Sequence, residues 1–345
     1  MIGSVSGSAA LSDARSRCRM PGRSEMTSEQ GRWAALPVTE WEPTYDTLHM
    51  YTQIIGKISL ALRPMTNHWW QVALELSARG LRTAAIPHGA RTFEMEFDFL
   101  DHALHIDAEG GERRSIGLGG SVRDFYTDTM AALDDLGLHV PIWTVPVEVP
   151  DPIPFDEDTV HSTYDPAQAE RYWHILCQVE GVFDEFRALF TGKASPVQFY
   201  WGSFDLATTR YSGRPTEPPP GADTITRFSY TAEQSSLGFW PGGTWLNGTR
   251  VEQPVFYSYT YPEPPGVRSQ PVSPASASFD NGLGEFVLSY DDVRRADDPR
   301  RAILDFAQTT YEAGARLQHW PRDVLEWTPP TPPSYRRAMT AAGSG

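Results

Sequence analysis

Apolar residues recur along this chain with two different periods, and the changes between them mark off alternating helical and extended stretches. From 44 to 62, Leu48, Tyr51, Ile55, Ile58 and Leu62 fall three or four residues apart, with Thr44 placed to cap and Pro64 to close. The spacing predicts an amphipathic helix. A second helix is predicted over 121–136, with Ser121 as N-cap, Phe125, Met130, Leu133 and Leu136 on one side, and Gly137 as the stop. The longest stripe runs through 166–190 as Ala169, Tyr172, Leu176, Val179, Phe183, Phe186 and Phe190, behind the cap-and-start pair Asp165-Pro166. Asp298-Pro299 repeats that start ahead of a fourth predicted helix, 299–318, whose inner face is Ile303, Phe306, Ala313 and Leu317.

Between the first two helices the period drops to two. Trp70, Val72, Leu74 and Leu76 alternate with polar or small neighbours, as do Phe93, Met95, Phe97 and Phe99, which predicts half-buried strands. Shorter strands are expected at 80–86, 103–108 and 113–118. Between the last two helices, strands are expected at 196–210, 225–232, 254–261 and 285–289, interrupted by a Pro-rich loop at 215–222. The order helix, strands, helix therefore occurs twice. It predicts an α+β protein of two similar helix–antiparallel sheet–helix halves, 33–137 and 161–327, packed into one large globular unit. A stiff connector at 138–160, with prolines at 141, 146, 150, 152 and 154, joins them. Residues 1–32 are read as a disordered extension, with Met26 a second candidate start, and 328–345 as a disordered tail. Gln53-Ile-Ile-Gly56 and Gln178-Val-Glu-Gly181 form a faint echo between the halves.

Charge narrows the classes of partner. The chain of 345 residues carries 29 Lys and Arg against 44 Asp and Glu, and a net charge of −15 without a basic stripe argues against nucleic acid. Lysine occurs only at 57 and 193, an Arg bias that fits a GC-rich bacterial genome. No uncharged apolar run reaches membrane-spanning length, and Cys18 and Cys177 imply no disulfide framework. A soluble, cytoplasmic protein is expected, its partner a small-molecule ligand rather than a membrane or nucleic acid.

The strings Asn67-His68-Trp69-Trp70, Phe97-Asp98-Phe99-Leu100-Asp101-His102, Glu148-Val149-Pro150-Asp151-Pro152-Ile153-Pro154-Phe155 and Trp201-Gly202-Ser203-Phe204-Asp205-Leu206-Ala207 resemble an uncharacterised bacterial family known as a domain of unknown function. The resemblance continues through Phe239-Trp240-Pro241-Gly242, Tyr261-Pro262-Glu263-Pro264 and Leu283-Gly284-Glu285-Phe286, and so covers roughly 33–327. It implies no function. It does imply that Gln198 stands where similar proteins tend to carry His, so any ligand or proton-carrying role at that position is lost here.

Several groups have residue types suited to chemistry. Glu94, Glu96 and Asp98 share one face of a predicted strand, about 7 Å apart, where enclosure would raise their pKa values and exposure would leave an ordinary polar face. Asp98, Asp101, His102 and His105, with His68, have metal-ligand types. His102 and His105 point to opposite faces of an extended strand, however, and a turn built by Asp101 explains the cluster as well, so no metal is assigned. Trp69, Trp70, Trp201, Phe204, Trp240 and Tyr261, near Asp205, Arg210 and Glu263, are of the types that either wall a small-molecule cleft or fill a large core. Asp205 and Arg210 either orient a ligand or pair with each other inside the fold. Gly117-Leu-Gly-Gly-Ser121 lacks the lysine of a phosphate loop, no nucleophile elbow occurs, and no cofactor is named.

Together these readings predict an enzyme or binder of a small polar or aromatic molecule. His68, Asp98, Asp101 and His102 would transfer protons, and Trp69, Trp70, Trp201, Phe204, Asp205, Arg210, Trp240 and Glu263 would contact the ligand. The alternative is a non-catalytic interaction or scaffold protein whose motifs serve packing. Convergence of these groups on one pocket distinguishes the first from the second.

Overall fold

A computed structural model describes residues 33–245 and 248–327. Helix α1 (Val38–Leu62) begins upstream of the predicted segment and runs through Pro43, so Thr44 is not its cap. Instead Thr44 and Thr47 turn their hydroxyls to the backbone amides of Asp165 and Thr163, at 2.9 and 3.1 Å. From the chain after α1 come β1 (Glu75–Leu76), β2 (Gly80–Arg82), β3 (Ile86–His88), β4 (Arg91–Asp98), β5 (Ala103–Ala108) and β6 (Glu112–Gly117). They form one antiparallel six-stranded sheet in the order β1-β2-β4-β5-β6, with β3 also on β4. Helix α2 (Val122–Asp135) follows, with Ser121 accepting from the Asp124 amide as its N-cap.

The second helix–sheet–helix unit opens with α3 (Pro166–Ala188), capped by Asp165 as its sequence predicts. Its sheet contains β7 (Gln198–Tyr200), β8 (Asp205–Pro215), β9 (Ala232–Trp240), β12 (Val255–Tyr261), β13 (Ser278–Asp280) and β14 (Glu285–Ser289), in the order β13-β14-β12-β9-β8-β7. The short hairpin β10 (Gly243–Thr244) and β11 (Arg250–Val251) stands apart from it. The stretch 225–232 is not the expected strand. Asp223 accepts from the Thr226 amide and starts the one-turn helix α4 (Thr224–Ser229), which delays the strand to β9. A local cap here outweighs the β preference of Thr and Ile. The helices α5 (Tyr290–Arg295), α6 (Pro299–Leu317, capped by Asp298) and α7 (Arg322–Leu325) complete the unit. Among the described residues no helix is long and apolar enough to cross a membrane.

One hydrophobic core runs through both units, from Leu48, Ile55 and Phe97 to Phe183, Phe256 and Phe306. The sheets approach each other where Leu74 and Phe199 exchange backbone hydrogen bonds of 2.9 Å. Helix α1 is buried almost all round, polar residues included, because its polar side chains bind chain that passes beside it. The Gln53 amide donates to the Val147 carbonyl at 2.8 Å and accepts from the Val147 amide at 2.9 Å. One turn on, Lys57 Nζ donates to the Trp143 and Val145 carbonyls at 3.1 and 2.5 Å and lies 4.5 Å from the Trp143 ring centroid. These two side chains hold the Pro-rich connector against the helix, which the prolines themselves cannot do through their missing amides.

The Gln53 clasp leads to a stability test. Gln53→Leu leaves the Val147 amide and carbonyl without their partner, and unsatisfied backbone groups cost about 1–3 kcal/mol each. Urea unfolding of the variant is expected to show a loss of about 2–4 kcal/mol, and a loss below about 0.5 kcal/mol would contradict this role.

Candidate functional site

The Gln53 clasp fixes the backbone of Val147, and so aims the next side chain, Glu148, whose own backbone is left-handed at φ 56°. The Glu148 carboxylate packs over Gly202, where any β-carbon would overlap it. The Gly202 carbonyl accepts from His49 Nε2 at 2.9 Å, tying the segment 201–205 to α1. Trp201 is accommodated beside it because Gly56 of α1 has no side chain, and its Nε1 donates to the Val72 carbonyl at 2.9 Å. Phe204, also left-handed at φ 60°, stacks on Tyr172 at 5.5 Å and belongs to the core behind. Asp205 accepts hydrogen bonds from Ser203 Oγ and Tyr257 Oη.

In front of these groups lies a cleft of ≈ 280 Å³ between α1, the connector and the ends of β8 and β9. Tyr45, Trp240 and Trp245 supply aromatic wall, and Glu42, Asp46, His49, Glu148, His161 and Ser203 supply the polar lining. Trp240 and Trp245 meet edge to face at 4.9 Å. His161 is oriented from behind: its Nδ1 lies 2.6 Å from the buried Asp158 carboxylate, which also accepts the Val160 and His161 amides at 3.0 Å.

Burial dominates the electrostatics. It pushes Glu148 up to about 7, helped by the negative charges of Asp205 and Asp223, and Asp46 up to about 6, helped by Glu42. The buried imidazole of His49 is pushed down to about 4 and is therefore neutral. Outside the lining, burial also raises Asp205, opposed by its bonds from Ser203 and Tyr257, and pushes Glu285 on β14 up to about 8, with Asp205 adding to the effect. Among the described residues, Asp46, Glu148 and Glu285 have no ion-pair partner and no side-chain hydrogen bond, and Glu285 Oε2 is wholly buried without one. Glu42 at the mouth differs, being bridged by Arg250.

Of the residues predicted from sequence, Asp205, Trp201, Phe204 and Trp240 gather at or directly behind this cleft, and the others lie elsewhere. His68 stacks on Tyr211 at 4.5 Å, beside Trp70 and Lys193. Trp69 donates from Nε1 to the Ile225 carbonyl at 3.0 Å. Asp98 and Asp101 are both bound by the Arg79 guanidinium, whose hydrogen bond, with those of the Asp101 and Leu100 amides, outweighs burial and holds Asp98 below the usual carboxylate range. The Asp98, Asp101 and His105 ligand atoms lie within 4.8 Å of one another, with this guanidinium across the two carboxylates. His102 instead approaches the Tyr164 hydroxyl at 3.1 Å. Its left-handed backbone at φ 52° turns it away from that group. The four predicted proton carriers are thus not one constellation.

Arg210 does not pair with Asp205. An odd separation along β8 puts them on opposite faces, and the Arg210 guanidinium lies 3.5 Å from the Phe186 ring centroid and donates to the Phe186 carbonyl. Glu263 forms an exposed pair with Arg268 at 2.6 Å. Gln198 approaches the Trp70 carbonyl at 3.4 Å and the Tyr200 hydroxyl at 3.5 Å.

Sequence reasoning missed Asp46, His49, Glu148, His161, Tyr257 and Glu285. Only Asp158-x-x-His161 offers a local signal, an Asx turn that brings a carboxylate onto the imidazole.

Fold and cleft define an α+β protein with an acid- and tryptophan-lined hollow between its buried first helix and its second sheet. The model of the Family of unknown function (DUF5996) matches residues 33–327, and the chain belongs to that family. No curated protein and no solved structure matches it.

The raised carboxyls fix the sign of a pH effect. Their folded pKa values lie above their unfolded ones, so the stability they contribute is fully present below about pH 4.5 and is lost as pH rises through about 6 to 8. Glu285→Gln is expected to match the parent near pH 4.5 and to exceed its unfolding free energy by about 1–3 kcal/mol at pH 8.5. Denaturant titrations at the two pH values check this, and parallel curves would contradict it.

Proposed function

We propose that the cleft binds a small organic cation, an amine with an apolar or aromatic body, and that Glu148 and His161 exchange protons with it. The carrying observation is the pairing of two carboxyls that have no ion pair among the described residues, Asp46 and Glu148, with the rings of Tyr45, Trp240 and Trp245 around one hollow of ≈ 280 Å³. An ammonium group entering there gains a carboxylate partner and aromatic faces together, and each ring contact contributes about 0.5–2 kcal/mol where water is excluded. The cation would lower the carboxyl pKa values that burial has raised, so binding draws both carboxyls into their charged forms.

Proton exchange rests on two groups with different support. Glu148, pushed up to about 7, changes charge near neutral pH. His161 has Nδ1 committed to Asp158, which leaves Nε2 for a proton in transit. A general acid–base role for such a pair is of the kind that moves a proton to or from a bound amine or its neighbouring carbon.

Titration calorimetry with benzylamine, putrescine and phenethylamine, against acetate and phenylacetate as anionic counterparts, tests the reading. At least one amine is expected to bind, no anion to bind, and affinity to fall as pH drops from 8 to 5. Glu148→Gln is expected to weaken binding about 10-fold or more, and Trp245→Leu about 3- to 10-fold, with the fold retained. A preference for anions, or an unchanged affinity in Glu148→Gln, would refute it.

A further inference from the structure

A second polar centre lies outside the cleft, around the lysine at 193. The chain has two lysines among 44 carboxylates, yet among the described residues Lys193 pairs with none of them. Its Nζ lies 2.6 Å from His68 Nε2. It also stands 4.6 Å from the Tyr211 ring centroid and 5.4 Å from that of Trp70. The partner nitrogen is assigned by geometry: His68 Nδ1 lies 2.9 Å from the Ser229 carbonyl, so Nδ1 carries the proton and the Nε2 lone pair faces the amine.

The surroundings hold this arrangement in place. His68 and Trp69 both have left-handed backbones, φ 58° and 61°, a costly pair of conformations that aims the imidazole inward onto Tyr211. The Lys193 carbonyl accepts from the Tyr211 amide at 3.0 Å, which anchors the lysine to β8. The lysine side chain remains exposed as a whole, so a ligand from solvent can reach it.

We propose that Lys193 is a carbonyl-trapping amine, forming an imine with a small aldehyde or ketone whose apolar body rests on Trp70 and Tyr211. His68 takes one proton from the ammonium, freeing the nitrogen lone pair. That lone pair attacks the carbonyl carbon, the new C–N bond forms as the C=O π bond breaks, and one of the nitrogen's two protons passes to the oxygen to give the neutral carbinolamine. His68 returns its proton to the hydroxyl, which leaves as water, and the nitrogen's remaining proton is released as the neutral imine forms. The amine and carbonyl thus become imine and one water, with no change of oxidation state. Burial against the rings, which lowers the lysine from its usual range, supplies the free base more readily.

The test uses the full chain with benzaldehyde and sodium cyanoborohydride at pH 7, Nα-acetyllysine being added to the same tube, and locates the benzyl adduct by peptide mass spectrometry. Lys193 is expected to be trapped about 10-fold or more faster than Nα-acetyllysine, and faster than Lys57, which is buried with its Nζ bonded to the Trp143 and Val145 carbonyls. His68→Phe, which keeps a ring against Tyr211 and removes the base, is expected to slow Lys193 about 10-fold and to alter the shape of its pH–rate profile. Equal trapping of Lys193 and the free amino acid would overturn the proposal, as would an unchanged rate and profile in a folded His68→Phe protein. The comparison with Nα-acetyllysine stands on the parent protein even where that variant does not fold. Glu148→Gln, which tests the cleft, is expected to leave the labelling of Lys193 unchanged.

Discussion

A helix buried on nearly every side has to give its polar residues partners, and α1 does so by binding the backbone of other segments. Thr44 and Thr47 receive the chain ahead of α3, His49 receives the Gly202 carbonyl, and Gln53 and Lys57 receive the connector. Each bond removes two desolvation penalties, one on the helix and one on the passing chain. The cleft is a by-product of these clasps. Glu148 and Ser203 both line it because the segments carrying them are fastened to the same helix, Val147 at Gln53 and Gly202 at His49. A small residue was needed wherever the approach became close, and Gly56 and Gly202 stand at those two points.

The acid side chains around the cleft carry a cost that the rest of the molecule does not offset. Elsewhere arginine answers carboxylate in the usual way, as Arg79 does at Asp98 and Arg250 at Glu42. Asp46, Glu148 and Glu285 are held without such a partner among the described residues, and so near neutral pH they lie close to the boundary between neutral and charged forms. A site that is strained in charge but well packed in shape gains more from a cationic ligand than a site already neutralised from within. That difference separates the cleft from the Asp98 group, which has similar residue types but an occupied centre.

The pattern of apolar positions was enough for the α+β class, for the caps at Ser121, Asp165 and Asp298, and for the stripe of α3, because those depend on neighbours within one turn. The α4 segment shows the limit: a single Asp cap reversed a β-like stretch. The site was legible only in part. Trp201, Phe204, Asp205 and Trp240 stood out as unusual strings, but Glu148 sat in a run of prolines, and nothing local says that Gln53, far away along the chain, would hold it. Tyr257, Tyr259 and Tyr261 alternate as an ordinary polar strand face would, and nothing local says that Tyr257 is buried and the other two half-buried. Periodicity reports which face a side chain takes and is silent on what lies across it.

The same alternation links the two polar centres. Asp205 and Tyr211 are separated by an even number of residues along β8 and therefore share one face of the second sheet, while Arg210 takes the other. At about 3.3 Å per residue they stand about 20 Å apart, the cleft at one end and the Lys193–His68 pair at the other. The registered rows of β7, β8, β9 and β12 place Tyr200, beside Asp205, and Thr209, Ser236 and Tyr259, between Asp205 and Tyr211, on that face, a surface of hydroxyls rather than aliphatic side chains. The opposite face mixes the apolar Leu206, Leu237, Phe239 and Phe256 with the buried polar Thr208, Arg210 and Ser258. Keeping the hydroxyls satisfied requires Thr209 to meet Ser236 and Tyr230 to meet Tyr259, at 3.0 and 3.1 Å. The polar face thus carries separate hydrogen-bonded pairs between the Asp205 end and the Tyr211 end of β8, so that the cleft and the Lys193–His68 pair adjoin the same side of one sheet.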